Sequence, residues 1–333
     1  MQTLSYLDGV ITMIDQTQLP QAEVWLTIDT VDELVAAIQR LSVRGAPAIG
    51  VAGAYGVAMA ALHHPPANET AAFDAAVASI RSARPTAVNL AYAVDRVVPF
   101  AREGGPSAAQ AEADTIRDEE LAASVAMGER GADLVLELTG RSSIRAMTIC
   151  NTGGLATVER GTALAVIQTL HERGQLAEAI PLETRPLLQG GRLTTWELQQ
   201  MGAPFRLIVD SAGPFLLSQG AADVVLIGAD RVAANGDTAN KIGSFSLALA
   251  AKHAGIPFLV VAPESTVDMQ TASGSEIDIE DRGAGEVADI RGVPVAPDGT
   301  DAINPAFDVT PAELITAVVT DARVVQVGAG ETL

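Results

Sequence analysis

Four apolar residues, Val224 to Ile227, are followed at once by Gly228-Ala229-Asp230-Arg231, so a carboxylate ends a run that reads as a buried strand. A carboxylate so placed can sit in a dry pocket, where desolvation disfavours its charged form and leaves a proton to donate. After Asn235-Gly236-Asp237, the pair Asn240-Lys241 opens an apolar-periodic segment that predicts a helix over 240–254. An amide and an ammonium would then lie beside helix N-terminal N–H groups, which favour anions. One candidate acid and one candidate phosphate holder therefore share a single strand-loop-helix unit. The plain alternative is an Asp230 that caps a turn or pairs with Arg231.

A second group of chemically useful residues surrounds Cys150. It closes the apolar run Ala146–Ile149 and precedes Asn151-Thr152-Gly153-Gly154, which opens another helical pattern. A thiol near a helix N-terminus ionises more readily, and paired glycines let a ligand approach the backbone. The pattern is neither a dinucleotide fingerprint nor a P-loop, and simple packing is the competing reading of a lone cysteine. With one cysteine, an intramolecular disulfide and a cysteine-based zinc site are excluded. The four histidines, His63, His64, His171 and His253, lack a metal-ligand spacing, so no metal site is expected.

Three further stretches are candidates. Arg44-Gly45-Ala46-Pro47 sets a guanidinium beside a helix start, a plausible anion clamp or an ordinary turn, and Arg84 before Pro85 carries the same two readings. In Glu183-Thr184-Arg185-Pro186-Leu187-Leu188-Gln189, Gln189 can hydrogen-bond sugar hydroxyls, while Arg185 serves a phosphate or pairs with Glu183. Asp210 either orients a hydroxyl or caps the next helix.

The elements that must position these groups fall into two domains, 1–125 and 126–333, as the length of 333 residues suggests. Loose alternation over residues 1–25 fits a small antiparallel sheet, and Thr30-x-x-Glu33 is a capping box for a helix from Val31. Pro47 suits the first turn of a Gly/Ala-rich helix reaching Leu62. Helices over 69–82 and 86–102 are separated by Arg84-Pro85-Thr86, and a long one runs from Ser107 to Leu138. Beyond Gly140, apolar runs at Ala146–Ile149, Ile180–Leu182, Leu207–Val209, Val224–Ile227 and Phe258–Val261 alternate with helical segments. That is the pattern of a Rossmann-like parallel α/β sheet, which binds ligands at the carboxyl ends of its strands. Cys150 and Asp230 both fall on that rim. Near the C-terminus, Thr310-Pro311-Ala312-Glu313 reads as a capped helix start after Asn304-Pro305-Ala306-Phe307-Asp308.

Composition narrows the partners. A formal charge of −20, with no basic stretch, disfavours nucleic acid, so any phosphate site must be a local cluster. The apolar stretches are broken by glycine or charge, and the N-terminus lacks a basic flank before an apolar run; a cytoplasmic protein with no membrane segment is expected.

Taken in order, Arg44-Gly45-Ala46-Pro47-Ala48-Ile49-Gly50, Cys150-Asn151-Thr152-Gly153, Glu183-Thr184-Arg185-Pro186, Gly228-Ala229-Asp230-Arg231, Asn235-Gly236-Asp237 with Asn240-Lys241-Ile242-Gly243, and Asn304-Pro305-Ala306-Phe307-Asp308 span nearly the whole chain. Together they resemble the methylthioribose-1-phosphate isomerase family, part of the aldose-1-phosphate isomerase and translation initiation factor 2B alpha-beta-delta-like group. The resemblance implies a homodimeric, cofactor-free enzyme of methionine salvage that converts 5-methylthioribose 1-phosphate to 5-methylthioribulose 1-phosphate. It also implies a helical N-terminal domain with a small sheet joined to a Rossmann-like domain. Asp230 matches the proton donor and Cys150 the second catalytic residue; Arg44, Gly45, Ala46, Arg84, Gln189, Asn240 and Lys241 match positions that bind the sugar phosphate. The chain departs from the pattern at Ile149, Gly154 and the acidic segment Ser273–Arg291. Two other readings share the fold: a ribose-1,5-bisphosphate isomerase, which needs a second cationic site, and a non-catalytic regulatory subunit, which would not be expected to keep all these motifs.

Overall fold

The computed structural model describes residues 2–84 and 88–333, so Pro85 and Thr86 of the expected helix break lie outside the described residues. The chain forms two compact units, Met1–Ala122 with Gly153–Gly161, and Ala123–Thr152 with Thr162–Leu333.

In the first unit, β1 (Leu4–Leu7), β2 (Val10–Ile14) and β3 (Trp25–Ile28) form the small antiparallel sheet in that order. Asp8 and Gly9, both at positive φ, make the two-residue turn that suits the strand twist. At α1 (Val31–Gln39) the Thr30 half of the capping box forms, with Glu33 N–H donating to Thr30 Oγ1, while Glu33 Oε2 accepts the N–H of Asp29, one residue before the N-cap, each at 3.3 Å. Helix α2 (Ala46–His63) is buried from Ala48 to Ala61. A Cβ at Gly53 would stand 2.4 Å from Leu90 Cδ1, so the small residues of α2 serve close packing. By length and composition α2 is long and apolar enough to cross a membrane, and 78% of it is buried inside the fold. Helix α3 (Thr70–Ser82) follows. Helix α4 (Val88–Thr139) joins the two helices expected over 86–102 and 107–138, with a kink at Gly105, just before Pro106. The short α5 (Gly154–Thr157) completes this unit.

The second unit is built on β4 (Ile144–Thr148), with α6 (Ala163–Glu172) leading to β5 (Leu176–Pro181). A π-helical turn over Gly190–Thr194 runs into α7 (Thr195–Met201), and α8 (Ala212–Ser218) precedes β6 (Val224–Ile227). Next come β7 (Arg231–Ala233), β8 (Thr238–Lys241), α9 (Ser244–Ala254), β9 (Phe258–Val261) and β10 (Val267–Asp268). The chain ends through α10 (Gly285–Ala288), β11 (Asp289–Ile290), β12 (Val293–Pro294), β13 (Phe307–Thr310), β14 (Ala317–Val319) and β15 (Val324–Val325). The main sheet has the order β15-β14-β9-β6-β4-β5, parallel except at β15.

Both faces of that sheet are covered, which explains the unbroken apolar runs. Val224, Leu226, Leu259 and Val261 pack into one core, while Val225, Ile227, Phe258 and Val260 pack into the other, with α9 residues. The strand expected at Leu207–Val209 is reduced to isolated bridges, Ala179 with Phe205 and Leu182 with Ile208. Leu207 and Val209 are exposed, so no second face holds this segment in the sheet.

Two more sequence expectations need correction. Asn240 and Lys241 do not start a helix; they end β8, which is hydrogen-bonded to β7 on one side and β13 on the other. Pairing on both edges outweighs the helical periodicity, and α9 starts only after Gly243. Thr310 likewise does not start a capped helix. It pairs with Thr238 in the sheet, the N–H of Ala312 is taken by Asp237 Oδ1 at 2.9 Å, and only a 3₁₀ turn forms over Ala312–Leu314.

Candidate active site

Parallel pairing of β4 with β6, Thr148 opposite Leu226, brings the segments carrying Cys150 and Asp230 to neighbouring strand ends. Beyond β4 the backbone turns: Cys150 has φ 66, in the left-handed region that costs a residue with a Cβ. Its N–H donates to Thr184 Oγ1 at 2.8 Å, and its carbonyl accepts from Thr194 Oγ1 at 2.7 Å. The neighbouring Asn151 is buried and donates to Glu197 Oε1 at 2.6 Å.

The loop after β5 is fixed from the side. Asp210 Oδ1 accepts the Thr184 N–H and its Oδ2 accepts the Arg185 N–H, each at 2.7 Å. Of the two readings offered for Asp210, neither a ligand hydroxyl nor a following helix is what these bonds serve; the carboxylate clamps the loop. Arg185 donates to the carbonyls of Pro186 and Val287, at 3.1 and 2.9 Å, tying this loop to α10. Gln189 is 7% exposed, and its Oε1 is buried without a hydrogen-bond partner among the described residues. A buried carbonyl oxygen left in that state calls for a donor.

Asn240 and Lys241 are 4% and 7% exposed. Asn240 Nδ2 donates to Ser244 Oγ at 2.8 Å. Lys241 Nζ donates to the Ala306 carbonyl at 3.0 Å and lies 4.7 Å from the Phe307 ring centre. Burial of an ammonium with a carbonyl and an aromatic face as its neighbours leaves donors for an anion. The corner after β8 reaches the β4 end, since a Cβ on Gly243 would stand 2.8 Å from Ile149 Cδ1.

Asp230 differs from expectation in its surroundings. Its N–H bonds to the Ala239 carbonyl at 2.9 Å, at the base of the β7–β8 hairpin, but the residue is exposed. Gly228 and Ala229 carry it past the sheet, so the apolar strand behind it does not enclose it. Arg44, Gly45, Ala46 and Arg84 belong to the first unit; Cys150, Gln189, Asp230, Asn240 and Lys241 belong to the second. Gly45, at φ 91, is the N-cap of α2 and its backbone lies against Ala156 of α5.

Two acidic residues that sequence reasoning did not assign hold the second unit's site together. Asp308, opposite Asn240 in the sheet, accepts the N–H groups of Gly243 and Phe245. Burial pushes its carboxyl up to about 6, against those two bonds and the Lys241 charge, which lower it. Asp237 accepts from Asn235 Nδ2 and from the N–H groups of Gly274 and Ala312; burial opposes these bonds, which prevail and hold its pKa below the usual value. The signal for Asp308 was present in the stretch Asn304–Asp308; the strand pairing that gives it a task was not.

The sequence model of the initiation factor 2 subunit family matches residues 42–326. A probable bifunctional methylthioribose-1-phosphate isomerase/methylthioribulose-1-phosphate dehydratase of Nocardia farcinica is 50% identical over 97% of this chain, which spans 59% of that protein's length. The methylthioribose-1-phosphate isomerase of Pelotomaculum thermopropionicum is 45% identical over 96% of this chain and 89% of its own. Among solved structures, the 5-methylthioribose 1-phosphate isomerase of Pyrococcus horikoshii OT3 superposes with a TM-score of 0.92 at 39% identity, covering 98% of this chain and 92% of the other. A structure described as the delta subunit of translation initiation factor eIF-2B from A. fulgidus gives a TM-score of 0.88 at 36% identity, covering 98% and 96%.

Proposed function

Because the chain belongs to the initiation factor 2 subunit family, we propose that it is an aldose-ketose isomerase converting 5-methylthioribose 1-phosphate to 5-methylthioribulose 1-phosphate, in methionine salvage. The observation that carries the substrate class is the buried Lys241 ammonium beside the buried Asn240 amide, a local cationic site within a chain of net charge −20. Lys241 and Asn240 hold the phosphate, and the orphaned Oε1 of Gln189 accepts a sugar hydroxyl.

C1 of this substrate is blocked as a glycosyl phosphate, so the ring does not open freely to an aldehyde. Asp230 protonates the ring oxygen as the bond from C1 to that oxygen breaks, which opens the ring and leaves C1 electron-poor, and hydrogen then passes from C2 to C1 as a proton or as a hydride. The C2 hydroxyl loses its proton as the ketone forms, and that proton restores the acid. Bound substrate covers Asp230 and supplies the desolvation that an exposed carboxyl lacks. Cys150 polarises or positions the reacting carbons.

Steady-state turnover of the purified protein tests this. Isomerisation of the methylthio sugar should exceed that of ribose 1,5-bisphosphate, and Asp230→Asn and Cys150→Ala should each lower kcat by roughly 10²–10⁴-fold. Equal or greater activity on the bisphosphate overturns the substrate; wild-type rates in both variants overturn the two residue roles, and no turnover of either sugar by the wild-type protein favours a binding module. The enzyme acts in the cytoplasm as a homodimer on this reading. The exposed apolar sides of the paired helices α8 and α9, with Phe215, Phe245 and Leu249, support association, and light scattering near twice 34.3 kDa would bear it out.

A further inference from the structure

We infer that Thr184 and Asp210 are positioning residues that set the direction of the Cys150 thiol. The inference rests on the reading of Cys150 as a catalytic residue, and it goes beyond that reading by naming what holds the residue in place.

Cys150 and Thr184 both occupy the left-handed region, with φ 66 at each. Side-chain-bearing residues keep such a backbone only when their surroundings over-determine it. For Cys150 the determinants lie on both sides: its N–H goes to the Thr184 hydroxyl oxygen, and its carbonyl takes the Thr194 hydroxyl proton. The Thr184 hydroxyl has its own proton committed to the Leu182 carbonyl at 3.0 Å, so its oxygen is free to accept from Cys150. Thr184 is wholly buried, and its backbone is fixed by Asp210, whose two oxygens accept the consecutive N–H groups of Thr184 and Arg185. Asp210 is brought there by the bridge between Leu182 and Ile208, two residues before it. The sequence thus runs from a carboxylate through a hydroxyl to the peptide that carries the thiol, with no ordinary strand pairing in between.

Loss of the Thr184 hydroxyl leaves a Cys150 N–H that must find another partner, and the strained backbone relaxes. The thiol then turns with it. Because misplacement by about 1 Å costs rates of the order of 10²-fold, the effect should fall on kcat rather than on KM.

The single cysteine makes a direct test possible, since iodoacetamide alkylation of the native protein reads Cys150 alone. Thr184→Val should lower kcat roughly tenfold or more with little change in KM, and should change the alkylation rate at least about threefold. Thr184→Ser should restore both. Asp210→Asn, which keeps one acceptor oxygen, should shift both in the direction of Thr184→Val by less, and it serves where Thr184→Val does not fold. An alkylation rate within about twofold of wild type in the folded Thr184→Val protein overturns the inference, as does a Thr184→Ser protein no better than Thr184→Val or, where Thr184→Val does not fold, an Asp210→Asn protein alkylated at the wild-type rate. The alkylation arm needs no sugar substrate, so it decides the positioning role even if the isomerase reading fails.

Discussion

Asp308 on β13 lies directly opposite Asn240 on β8, and its carboxylate reaches past that partner to accept the N–H of Gly243 at 2.7 Å and of Phe245 at 3.1 Å. Phe307, the preceding residue, faces Lys241 in the same register and presents its ring to the ammonium. Two residues of one strand thus set two candidate phosphate-binding residues of another, and one of them also caps α9. The anion at a helix N-terminus is favoured by free N–H groups and by the helix dipole.

Asp308 gives the fold a pH dependence of definite sign. Its carboxyl titrates at about 6 in the folded chain, against an ordinary 3.8. Between those values the native chain holds a proton that the unfolded chain has released, so this contribution to stability is present at low pH and lost as pH rises from about 4 to about 6. Asp308→Asn removes the titration. Thermal unfolding at pH ~4.5 and ~6.5 should therefore show the variant gaining on the wild type at the higher pH. An identical gap at both pH values would remove Asp308 as the titrating group.

Lys241→Met should weaken binding of the sugar phosphate roughly tenfold to a hundredfold, from the loss of about 1.5–3 kcal/mol for hydrogen bonds to a charged group. The methyl thioether keeps the stem packed at a buried position, so thermal stability should change little beside the binding effect. Titration calorimetry with the product phosphate checks both affinity and its salt dependence. Unaltered affinity excludes Lys241 from the site.

How far the residues disclosed this arrangement differs from element to element. The β6 run and the Thr30 capping box were legible because four buried positions and one local pair of bonds are written in consecutive residues. The strand β8 was not, since Thr238–Lys241 owes its conformation to β13, some 65 residues further on, and its own neighbours read as helix. Asp230 shows a different gap. The strand before it is buried on both faces, but burial of a strand does not extend past Gly228, and the carboxyl emerges exposed. Cys150 could be singled out by type, whereas its left-handed backbone depends on Thr184, Thr194 and Asp210, none of which is near it in sequence.

Adjacent glycines of the π-helical turn provide the sharpest contrast between a site that tolerates a side chain and one that does not. A Cβ on Gly190 would stand 1.7 Å from the Leu182 carbonyl oxygen and 2.8 Å from Thr184 Oγ1, whereas one on Gly191 would have its nearest neighbour, the Glu183 carbonyl oxygen, at an ordinary 3.6 Å. The carbonyl in the first case is the acceptor for the Thr184 hydroxyl, so it cannot retreat without disturbing the loop that holds Cys150. Gly190→Ala should therefore destabilise by roughly 1–3 kcal/mol or more, the range of overpacked cores, and should reduce turnover as well. Gly191→Ala, within the same turn, should be neutral or stabilising by up to ~1 kcal/mol, because alanine restricts the unfolded chain more than glycine does. Chemical denaturation of the two variants side by side measures the difference, and equal midpoints would show that the β5 loop is free to move away from Gly190.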